Sequence, residues 1–562
     1  MKQNTIDHNL IPEYVTHVTK TLEKAGFEAF LVGGCVRDMF MDNPPAGGPK
    51  DWDITTNATP EQIIPLFEKT IYENKFGTVA VVITEGSTSP QSLQDQYTLR
   101  TSTSAQGLAL GSHPKPTSPT LGGGVSSLAL MKGEAPKAEG VHEIVEVTPY
   151  RKEGKYTDFR HPNTVSFTNN IEEDLVRRDF TMNALAYSLS SAYKGHLNGQ
   201  IIDLYGGIAD IKDKTIRAVG NANDRFTEDA LRMLRAIRFS TVLGFTISTE
   251  TFQAIVDNSH LLQHVSKERI RDEFIKIIES PNPALGIGLL QKSGLLQYII
   301  PELIEGIGCV QGGVHKYDVF EHLLAALDHA AKKGFSTDIR LAALLHDIGK
   351  PRTRRVGQKK EYTFYGHEVV GARMSKTILE RLHMPAKSIE YITNMVRRHM
   401  FFSDTEQITL SAVRRIVASV GADHIWELMQ VREADRAGMK KTEASYRLRK
   451  YHAMIEECLR DPISVSQLKI DGNYLIKELN IKPGPRMGWM LLAMLEEVLE
   501  DPTKNTIEYL TKKVAEYEKM DDAELKALGE KAKHQKDLLE EEEVTKLHQK
   551  HGVSNKKMPA RL

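Results

Sequence analysis

The stretch Gly33-Gly34-Cys35-Val36-Arg37-Asp38, followed after a short loop by Asp51-Trp52-Asp53, decides how the first part of this chain folds. Two adjacent glycines let the backbone adopt unusual dihedrals and come close to a polyphosphate. Side chains alternate along a strand, so Asp51 and Asp53 are expected on one face. Mg²⁺ takes oxygen ligands and shares substrate phosphates. The combination predicts metal-assisted phosphoryl or nucleotidyl transfer, and the alternative is a glycine turn beside two surface aspartates.

The bulk composition sets limits on the class of protein. A chain of 562 residues is long enough for roughly three to five domains. Lys and Arg total 73 against 74 Asp and Glu, so no overall basic field attracts nucleic acid and RNA contacts must come from local patches. The three cysteines and the lack of an apolar run of 18 residues predict a cytoplasmic protein without a membrane span.

The pattern of elements changes along the chain. A helix over 11–26 and strands at Phe27–Val32, Asp51–Thr55 and Thr78–Thr84 are expected first. Thr59-Pro60-Glu61 reads as a helix start, and a further strand is expected at His142–Val147. After residue 203, apolar residues recur at helical spacing over four segments, 228–305, 317–348, 367–400 and 408–438.

Two segments have compositions that do not favour a packed core. Between Ser102 and Leu130 the only charged residue is Lys115, amid Ser, Thr, Gly and Pro. We therefore expect a low-complexity insertion at about 86–140 between two edge strands. The last fifty residues carry dense charge of both signs, including the run Glu540–Glu543, and are expected to form a charged extension.

The stretch 174–184, DLVRRDFTMNA, contains two adjacent arginines between aspartates. Guanidinium groups grip phosphate in a bidentate manner, so Arg177 and Arg178 suit a triphosphate clamp. Taken alone, the stretch is more typical of ion pairs within a helix. The preceding segment 153–162 contains glycine and many charges, and it is expected to form a mobile loop.

A second arginine-rich stretch, 227–239, reads TEDALRMLRAIRF. With Thr227 as an N-cap, Asp229 and Arg232 are expected side by side on one helix face. A carboxylate accepts from the amino group of cytosine or adenine and a guanidinium donates to the ring nitrogen, whereas uracil and guanine carry a carbonyl instead. Arg235 and Arg238 continue along the helix and could hold phosphates or this pair, although Arg238 also fits an exposed basic edge.

These blocks, in this order, resemble the class II tRNA nucleotidyltransferase family, the CCA-adding enzymes, whose nearest relatives are bacterial poly(A) polymerases. The resemblance runs from about residue 27 to 303 and implies a polymerase-β-like head followed by helical neck, body and tail. It implies catalytic Mg²⁺ ligands at Asp51 and Asp53, and Glu146 is a candidate for a third carboxylate. It implies nucleotide contacts at Gly34, Arg37, Arg178, Asp229, Arg232, Arg235 and Arg238.

The flexible-loop element of that family resembles Val147–Pro162. The insertion just before it departs from the family pattern. The retained loop element favours a reaction that includes addition of A.

A third group of residues surrounds His346-Asp347. A lone histidine is more often a core residue than a ligand, but six ligand-type residues occur here in the order His, His-Asp, His, His, Asp. They resemble the HD-superfamily phosphohydrolases over about 315–440, with ligands at His322, His346, Asp347, His367, His399 and Asp435. The resemblance implies two metals bridged by Asp347 and hydrolysis of phosphomonoesters or cyclic phosphodiesters. Imidazole ligands favour Mn, Fe, Ni or Zn over Mg.

The expected fold class is α+β, with a mixed-sheet nucleotidyltransferase head, an all-α neck and body, an all-α HD domain and a helical tail. The expected bounds are 1–172 for the head, 173–245 for the nucleotide-selecting neck, 246–312 for the RNA-binding body, 313–440 for the HD domain and 441–562 for the tail.

The sequence favours a hypothesis in which CCA is added to the 3′ end of tRNA from CTP and ATP, without a nucleic-acid template. The HD domain is expected to add a phosphohydrolase activity. The alternatives are an A-adding or CC-adding specialist, a poly(A) polymerase, or an enzyme whose main activity is HD hydrolysis. We expect tRNA, ATP and CTP as partners, no membrane or DNA, and a monomer or homodimer.

Overall fold

The computed structural model describes residues 10–41, 49, 51–73, 77–83, 143–154, 165–190, 200–312, 316–356, 362–400, 408–437 and 445–529. These residues form two compact units. The first comprises Met1–Asp229 and Thr246–Ala254, and the second comprises Ala230–Phe245 and Ile255–Leu562. The predicted insertion at 86–140, the second half of the predicted loop Val147–Pro162 and the run Glu540–Glu543 lie outside the described residues.

A seven-stranded mixed sheet organises the first unit. Its strands in spatial order are β3 (Thr70–Glu73), β4 (Thr78–Ile83), β5 (Glu143–Pro149), β2 (Asp53–Thr56), β1 (Ala29–Val32), β8 (Leu185–Ser188) and β9 (Gln200–Asp203). Strands β2 and β5 are parallel, and the other neighbours are antiparallel. Two short pairs complete the strands, β6 (Arg151–Glu153) with β7 (Val165–Phe167) and β10 (Thr215–Ile216) with β11 (Thr246–Ile247). The sheet confirms the predicted α+β class of the head.

Short helices surround this sheet, and their bounds are Glu13–Lys24, Gly34–Phe40, Pro60–Ile63, Ile171–Val176, Gly207–Lys212 and Ala222–Glu228. A cluster of fully buried side chains that includes Phe30, Tyr150 and Leu175 packs one face of the sheet. The helix start at Thr59 is confirmed, because Gln62 accepts a hydrogen bond from the Thr59 backbone N–H at 2.9 Å.

The segment between the glycine pair and the second aspartate differs in one respect from the expectation. The helix after the glycine pair spans Gly34–Phe40. Asp51 is not on a strand, because β2 begins only at Asp53. The buried Trp52 stands between the two aspartates, and its carbonyl accepts from the Glu146 N–H at 3.3 Å. The argument from strand alternation therefore does not apply to Asp51.

The second unit is helical apart from one short strand pair, Arg355–Val356 with Tyr362–Thr363, among its described residues. Its first helices are Leu231–Leu243, Lys267–Glu279 and Pro283–Lys292, and Thr249–Asn258 is shared with the first unit. The next are Val319–Lys332, Thr337–Leu345, Lys350–Thr353, His367–Arg381, Ala386–Arg398, Leu410–Val420 and Ile425–Ala437. The last are Ser445–Cys458, Gly472–Lys477, Pro485–Glu500 and Ile507–Tyr517. No helix among the described residues is long and apolar enough to cross a bilayer.

Polar contacts join successive parts of the second unit. Arg381 forms a bidentate pair with Glu302 at 2.7 and 2.8 Å. Arg340 donates to the backbone carbonyls of Ile278 and Ser280, at the end of helix Lys267–Glu279. The final helices enclose a separate apolar cluster around Met494 and Leu510. The helices that follow the first unit are therefore fixed to one another by both buried apolar surface and charge-assisted hydrogen bonds.

Helix Pro283–Lys292 provides a test of this packing, because it carries two glycines in different surroundings. A Cβ on Gly286 would overlap the Ile277 side chain and lie 2.8 Å from Thr241 Cγ2, whereas a Cβ on Gly288 would meet no atom within 4 Å. We expect Gly286→Ala to lower the free energy of unfolding by about 1–3 kcal/mol through overpacking. Gly288→Ala, the matched control, should raise it by up to about 1 kcal/mol. Urea unfolding of both variants measures this, and equal effects would contradict the packing.

Candidate active sites

The glycine pair holds open a space in the first unit where two functional side chains meet. Gly33 has a φ of 78°, in the left-handed region that favours glycine. A Cβ at this position would lie 3.3 Å from Arg178 Nη1 and 3.6 Å from Asp53 Oδ2. Any side chain at Gly33 would therefore be strained and would also crowd both groups. The turn thus brings the backbone close to the carboxylate and the guanidinium that the sequence assigns to metal and phosphate.

The carboxylates of this site come from two adjacent strands and the bend before them. Asp53 begins β2 and is paired in register with Glu146 on the parallel strand β5, so the two side chains share a face. Both are partly exposed, and Asp51 is exposed. Burial raises the pKa of the neighbouring Cys35 thiol to about 12, and the Asp53 charge adds to the effect. The carboxylates of Asp51, Asp53 and Glu146 provide oxygen atoms of the kind that a hard cation prefers.

Buried partners hold the arginines of the first unit in position. Arg37 forms an ion pair with Asp38 at 2.6 Å and donates through Nη1 to Asn183 Oδ1 at 3.0 Å. Arg178 Nη2 donates to Asp174 Oδ2 at 3.3 Å. Burial acts to raise the pKa of Asp174, but the Arg177 and Arg178 guanidinium groups outweigh it and lower that pKa below its usual value. The Asp174 ion pairs are those that the alternative interpretation of this stretch predicted, whereas Asn183 carries no motif of its own and was missed.

The stretch at 227–239 does not fold as predicted. Thr227 is not an N-cap, because it lies inside helix Ala222–Glu228 and its hydroxyl donates to the carbonyls of Asn223 and Asp224. Asp229 follows that helix with extended dihedrals, φ −136° and ψ 103°. Arg232 lies in the first turn of the next helix, Leu231–Leu243, and is buried. The two residues are therefore not on one helix face, and the spacing argument from a continuous helix is wrong.

The remaining arginines of helix Leu231–Leu243 differ in their surroundings. Arg238 Nη1 donates at 3.2 Å to Glu273, a buried residue of helix Lys267–Glu279, and its guanidinium lies over the Phe239 ring at 4.3 Å. Arg235 lies 5.5 Å from the centroid of the same ring. The proposed exposed basic edge at Arg238 does not fit this structure, because the Arg238 side chain is only 13% exposed. No local sequence pattern indicates Glu273 as the partner of Arg238.

The six predicted HD residues come together at the centre of the second unit, and all are buried. They form two groups whose ligand atoms lie within 4.8 Å of one another, His322, His346, Asp347 and Asp435 in one and Asp347, His367 and His399 in the other. Asp347 belongs to both. Its Oδ2 lies 3.2 Å from His346 Nε2, and its Oδ1 lies 3.2 Å from His367 Nε2. One carboxylate thus faces two ligand groups, one through each oxygen.

Backbone contacts orient three of the imidazoles in the same way. The Nδ1 atoms of His346, His367 and His399 lie 2.7–2.8 Å from the backbone carbonyl three residues earlier. Each ring therefore donates through Nδ1 and directs a basic Nε2 inward, the arrangement found in metal ligands. The Nε2 atoms of His367 and His399 are buried and have no hydrogen-bond partner in the described part of the chain. These donors fit a pair of divalent transition-metal ions.

The pKa values of two buried residues in this cluster are strongly shifted. Burial acts to raise the pKa of Asp347, but the Lys350 ammonium and His346 hold that pKa well below its usual value. Burial acts to lower the pKa of His346, and the adjacent Asp347 and Asp435 carboxylates raise it to about 10. Gly349 permits the close packing behind the site, because a Cβ there would overlap the His367 carbonyl oxygen.

Two further residues lie at the HD cluster and were not predicted from the sequence. Lys350 Nζ lies 2.6 Å from Asp347 Oδ2 and donates at 2.7 Å to Gln311 Oε1. The i, i+3 spacing from Asp347 could have indicated Lys350. Gln311 is distant in sequence from both and gave no signal.

The two candidate metal sites differ in their ligands. Among the described residues, both groups of three or more closely spaced ligands are in the HD region, and the head carboxylates form no such group. This difference fits the chemistry of the ions, since Mg²⁺ uses one or two carboxylates together with substrate phosphates. Asp51 and Asp53, with Glu146 beside them, provide that kind of open oxygen site.

Three family models match successive segments of the chain. A family model described as the poly A polymerase head domain matches residues 29–108 and 130–217. One described as a probable RNA and SrmB-binding site of polymerase A matches 244–306, and an HD-domain model matches 319–438.

Relatives match over most of the chain. A CCA-adding enzyme of Lactobacillus delbrueckii subsp. bulgaricus is 30% identical over 503 residues, covering 87% of this chain and 94% of the relative. An A-adding tRNA nucleotidyltransferase of Deinococcus radiodurans is 34% identical over 339 residues, covering 58% and 75%. The crystal structure of a Bacillus stearothermophilus CCA-adding enzyme in complex with CTP matches with a TM-score of 0.58 and 26% identity, covering 90% and 98%.

A mixed-sheet head that matches the poly A polymerase head model, followed along the chain by helical segments that match the polymerase A RNA-binding and HD models, defines a nucleotidyltransferase of the poly(A) polymerase type. Within that class, the chain belongs to the bacterial-type CCA-adding enzyme family and is a tRNA nucleotidyltransferase. The family resemblance, the fold class and the type of enzyme expected from the sequence are therefore confirmed.

The HD geometry predicts how many transition-metal ions the protein binds. With excess Mg²⁺ present to occupy the head carboxylates, we expect metal-stripped protein to bind two Co²⁺ ions. His399→Ala removes one of three ligands from the second group, so it should retain one tight ion and bind the other at least tenfold more weakly. His329→Ala, a control on helix Val319–Lys332 whose imidazole pairs with Glu433 and belongs to neither ligand group, should bind two. Absorbance titration measures this, and an unchanged second ion in His399→Ala would contradict the ligand assignment.

Proposed function

We propose that this enzyme adds C, C and A in turn to the 3′ end of tRNA, using CTP and ATP and no nucleic-acid template. The observation that carries the proposal is the close approach of Gly33, Asp53 and Arg178 in the head. The relatives named as CCA-adding enzymes, and the similar structure in complex with CTP, support this substrate choice.

The proposed reaction needs a triphosphate held beside the carboxylates. Arg178, oriented by the buried Asp174, binds the triphosphate, and the backbone at Gly34 approaches it because Gly33 carries no side chain. Arg37, fixed by Asp38 and Asn183, completes the positive side of the site. The tRNA 3′-hydroxyl oxygen then forms a bond to the α-phosphorus while the bond to the β-phosphate oxygen breaks, releasing pyrophosphate.

Asp51 and Asp53, with Glu146 beside Asp53, are the residues that would hold Mg²⁺ for this reaction. Two such ions, when bound, would lower the pKa of the attacking hydroxyl and neutralise charge on the triphosphate. The exposure of these carboxylates fits a site that is completed by substrate oxygens.

We assign the choice of nucleotide to the arginine-rich stretch 227–239. Asp229 accepts from the amino group of cytosine or adenine, and Arg232 donates to the adjacent ring nitrogen. The backbone at Asp229 is extended and not helical, which is compatible with this role. Arg235 and Arg238 support the pair, with Arg238 fixed by Glu273.

A second candidate function is the addition of A alone. The Deinococcus relative, named as an A-adding enzyme, matches more than half of this chain. Its identity of 34% exceeds the 30% of the Lactobacillus relative. An A-adding specialist would use the same head chemistry with ATP on tRNA that already ends in CC.

Substitution in the head tests the proposed chemistry. Asp53→Asn removes the charge of a proposed metal ligand, so nucleotide addition to tRNA lacking CCA should fall at least a thousandfold. Asp213→Asn, an exposed aspartate of the same unit, is the control and should retain full activity. Incorporation of labelled CTP and ATP measures both, and substantial activity in Asp53→Asn would contradict the assignment.

Substitution in the second unit tests nucleotide choice separately. Arg232→Lys keeps the charge but loses the planar guanidinium, so discrimination against UTP should fall about tenfold to a hundredfold, with a smaller change in tRNA affinity. Lys212→Ala, an exposed control, should leave discrimination unchanged. The ratio of kcat/KM for CTP and UTP reports the effect. Unchanged discrimination in a folded Arg232→Lys enzyme would refute the reading role.

The paired ligand groups favour a second activity, hydrolysis of phosphate esters at the HD site. His322, His346 and Asp435 would hold one divalent ion, His367 and His399 the other, and Asp347 would bridge them. Such ions, when bound, supply Lewis acidity and lower the pKa of a water molecule.

The two activities are separable by one substitution. Asp347→Ala should abolish metal-dependent phosphatase activity and leave nucleotide addition within about twofold, because the head carries its own carboxylates. Asp328→Ala, on the surface of helix Val319–Lys332, should affect neither. Assays on the same purified samples decide this. Phosphatase activity that survives in Asp347→Ala would exclude the HD cluster as its source.

A further inference from the structure

An exposed isoleucine lies beside the carboxylates of the head and has no role in the reaction proposed above. Ile144 precedes Glu146 by two residues on β5, so both side chains lie on the same face of the sheet. Ile144 is 43% exposed, whereas Val145 and Val147, on the other face, are fully buried. The face that carries the carboxylates therefore also presents apolar surface to solvent.

Strand register extends this apolar surface over two more strands. Val82 of β4 is paired with Ile144, and Ala80 is paired with Glu146. Ile71 of β3 is paired in turn with Ala80 and is 38% exposed. Because paired residues share a face, the apolar side chains form one strip, which we call the apolar strip (Ile71, Ala80, Val82 and Ile144). Contiguous exposed apolar surface rimmed by polar groups is typical of a ligand-binding or interaction site.

The apolar strip and the proposed triphosphate site lie on opposite sides of Asp53. Gly33 follows β1 and brings the backbone close to Arg178 and Asp53, whereas the strip begins on β5. Strand β2, which carries Asp53, lies between β1 and β5 in the sheet. In nucleotidyl transfer the attacking and leaving oxygens are roughly in line, on opposite sides of the phosphorus. With pyrophosphate held at Gly33 and Arg178, the attacking hydroxyl therefore enters from the side of the apolar strip.

A cationic residue lies at the edge of the apolar strip. The Lys69 carbonyl accepts from the Val82 N–H at 3.0 Å, which places Lys69 directly beside the strip. Lys69 is exposed and precedes β3, the edge strand of the sheet. The backbone of a polynucleotide is charged at every residue, so a strand whose last base covers the strip has a phosphate for this lysine to contact.

We propose that the apolar strip binds the 3′-terminal nucleoside of the tRNA acceptor and that Lys69 contacts the phosphate next to it. This inference depends on the head site proposed above and adds the position of the acceptor to it. Aliphatic side chains pack against the face of any base and offer no hydrogen bond that reads its identity. Such tolerance suits successive additions, because the terminal base of the acceptor changes from the base before CCA to C.

Ile144→Thr tests the proposal, because threonine keeps the β-branched shape of a strand residue and loses apolar surface. At saturating nucleotide, we expect kcat/KM for tRNA to fall about threefold to tenfold. The factor should be similar for tRNAs ending before CCA, after C and after CC, since the strip reads no base. KM for ATP at saturating tRNA should stay within about twofold, because the triphosphate lies on the other side of Asp53.

The matched control is a residue on the opposite face of the same strand. Ile71→Thr should lower kcat/KM for tRNA by a smaller factor than Ile144→Thr. Tyr72 is adjacent to Ile71 and equally exposed, at 38%, but it is paired with Val79 and lies on the other face. Tyr72→Thr should therefore leave every constant unchanged. Lys69→Gln should weaken tRNA binding and reduce its dependence on salt, because one phosphate contact is lost.

A variant that should gain affinity keeps the test decisive if Ile144→Thr does not fold. Ile144→Trp offers an aromatic face on which the terminal base can stack, so tRNA affinity should rise by about threefold or more. With 2-aminopurine as the terminal base of the tRNA, its fluorescence should be quenched on binding to Ile144→Trp, and much less on binding to Tyr72→Trp. Unchanged affinity and fluorescence in Ile144→Trp would contradict the proposal.

The outcomes separate this inference from the reaction on which it depends. If Asp53→Asn retains nucleotide addition, the head site itself is wrong. If Asp53→Asn is inactive and Ile144→Thr uses tRNA as well as the wild type does, only the position of the acceptor is wrong. A lower melting temperature with unchanged constants for tRNA would show that other residues of this chain cover the strip. A raised KM for ATP alone would show that the strip binds the incoming nucleotide. Either result overturns the proposal.

Discussion

The left-handed turn at Gly33 is the constraint on which the proposed transfer site depends. A side chain there would be strained by the backbone and would crowd Arg178 and Asp53. Because that space is open, a guanidinium, a carboxylate and bare backbone face one another. The sheet supports this arrangement, since β2 supplies Asp53, β5 supplies Glu146 in register, and buried Asp174 orients Arg178. The chemistry of the head thus follows from a glycine whose neighbours are fixed by strand pairing.

A comparable constraint organises the HD region. Asp347 directs one oxygen toward each of two ligand groups, and backbone carbonyls fix the tautomers of three histidines around it. Gly349 lets the chain pack closely behind the site. The region is joined to the preceding helices by Arg381 and Glu302. The protein therefore carries two chemically different candidate sites, one rich in carboxylates and open, the other rich in imidazoles and buried.

The sequence predicted the fold class, the family and four of the seven strands of the head sheet, β1, β2, β4 and β5, because these depend on short periodic patterns and on ordered motifs. It also predicted the six residues that lie around Asp347, because their types and their order resemble the ligand set of HD phosphohydrolases. It failed at Asp51 and Asp229, where a bend replaced a strand and an extended residue replaced a helix. It also missed Asn183, Glu273 and Gln311. Their roles arise from tertiary contacts with residues far away in the chain, and no local pattern reports such contacts.

The central claim is that one head site builds the whole CCA end from two nucleotides. The most direct measurement supplies the purified enzyme with three tRNAs, ending before CCA, after C and after CC, each with CTP, ATP or UTP alone. The account predicts C addition to the first two, A addition to the third, and no use of UTP. Extension of only the tRNA ending in CC, or unlimited addition of A to every substrate, would contradict it.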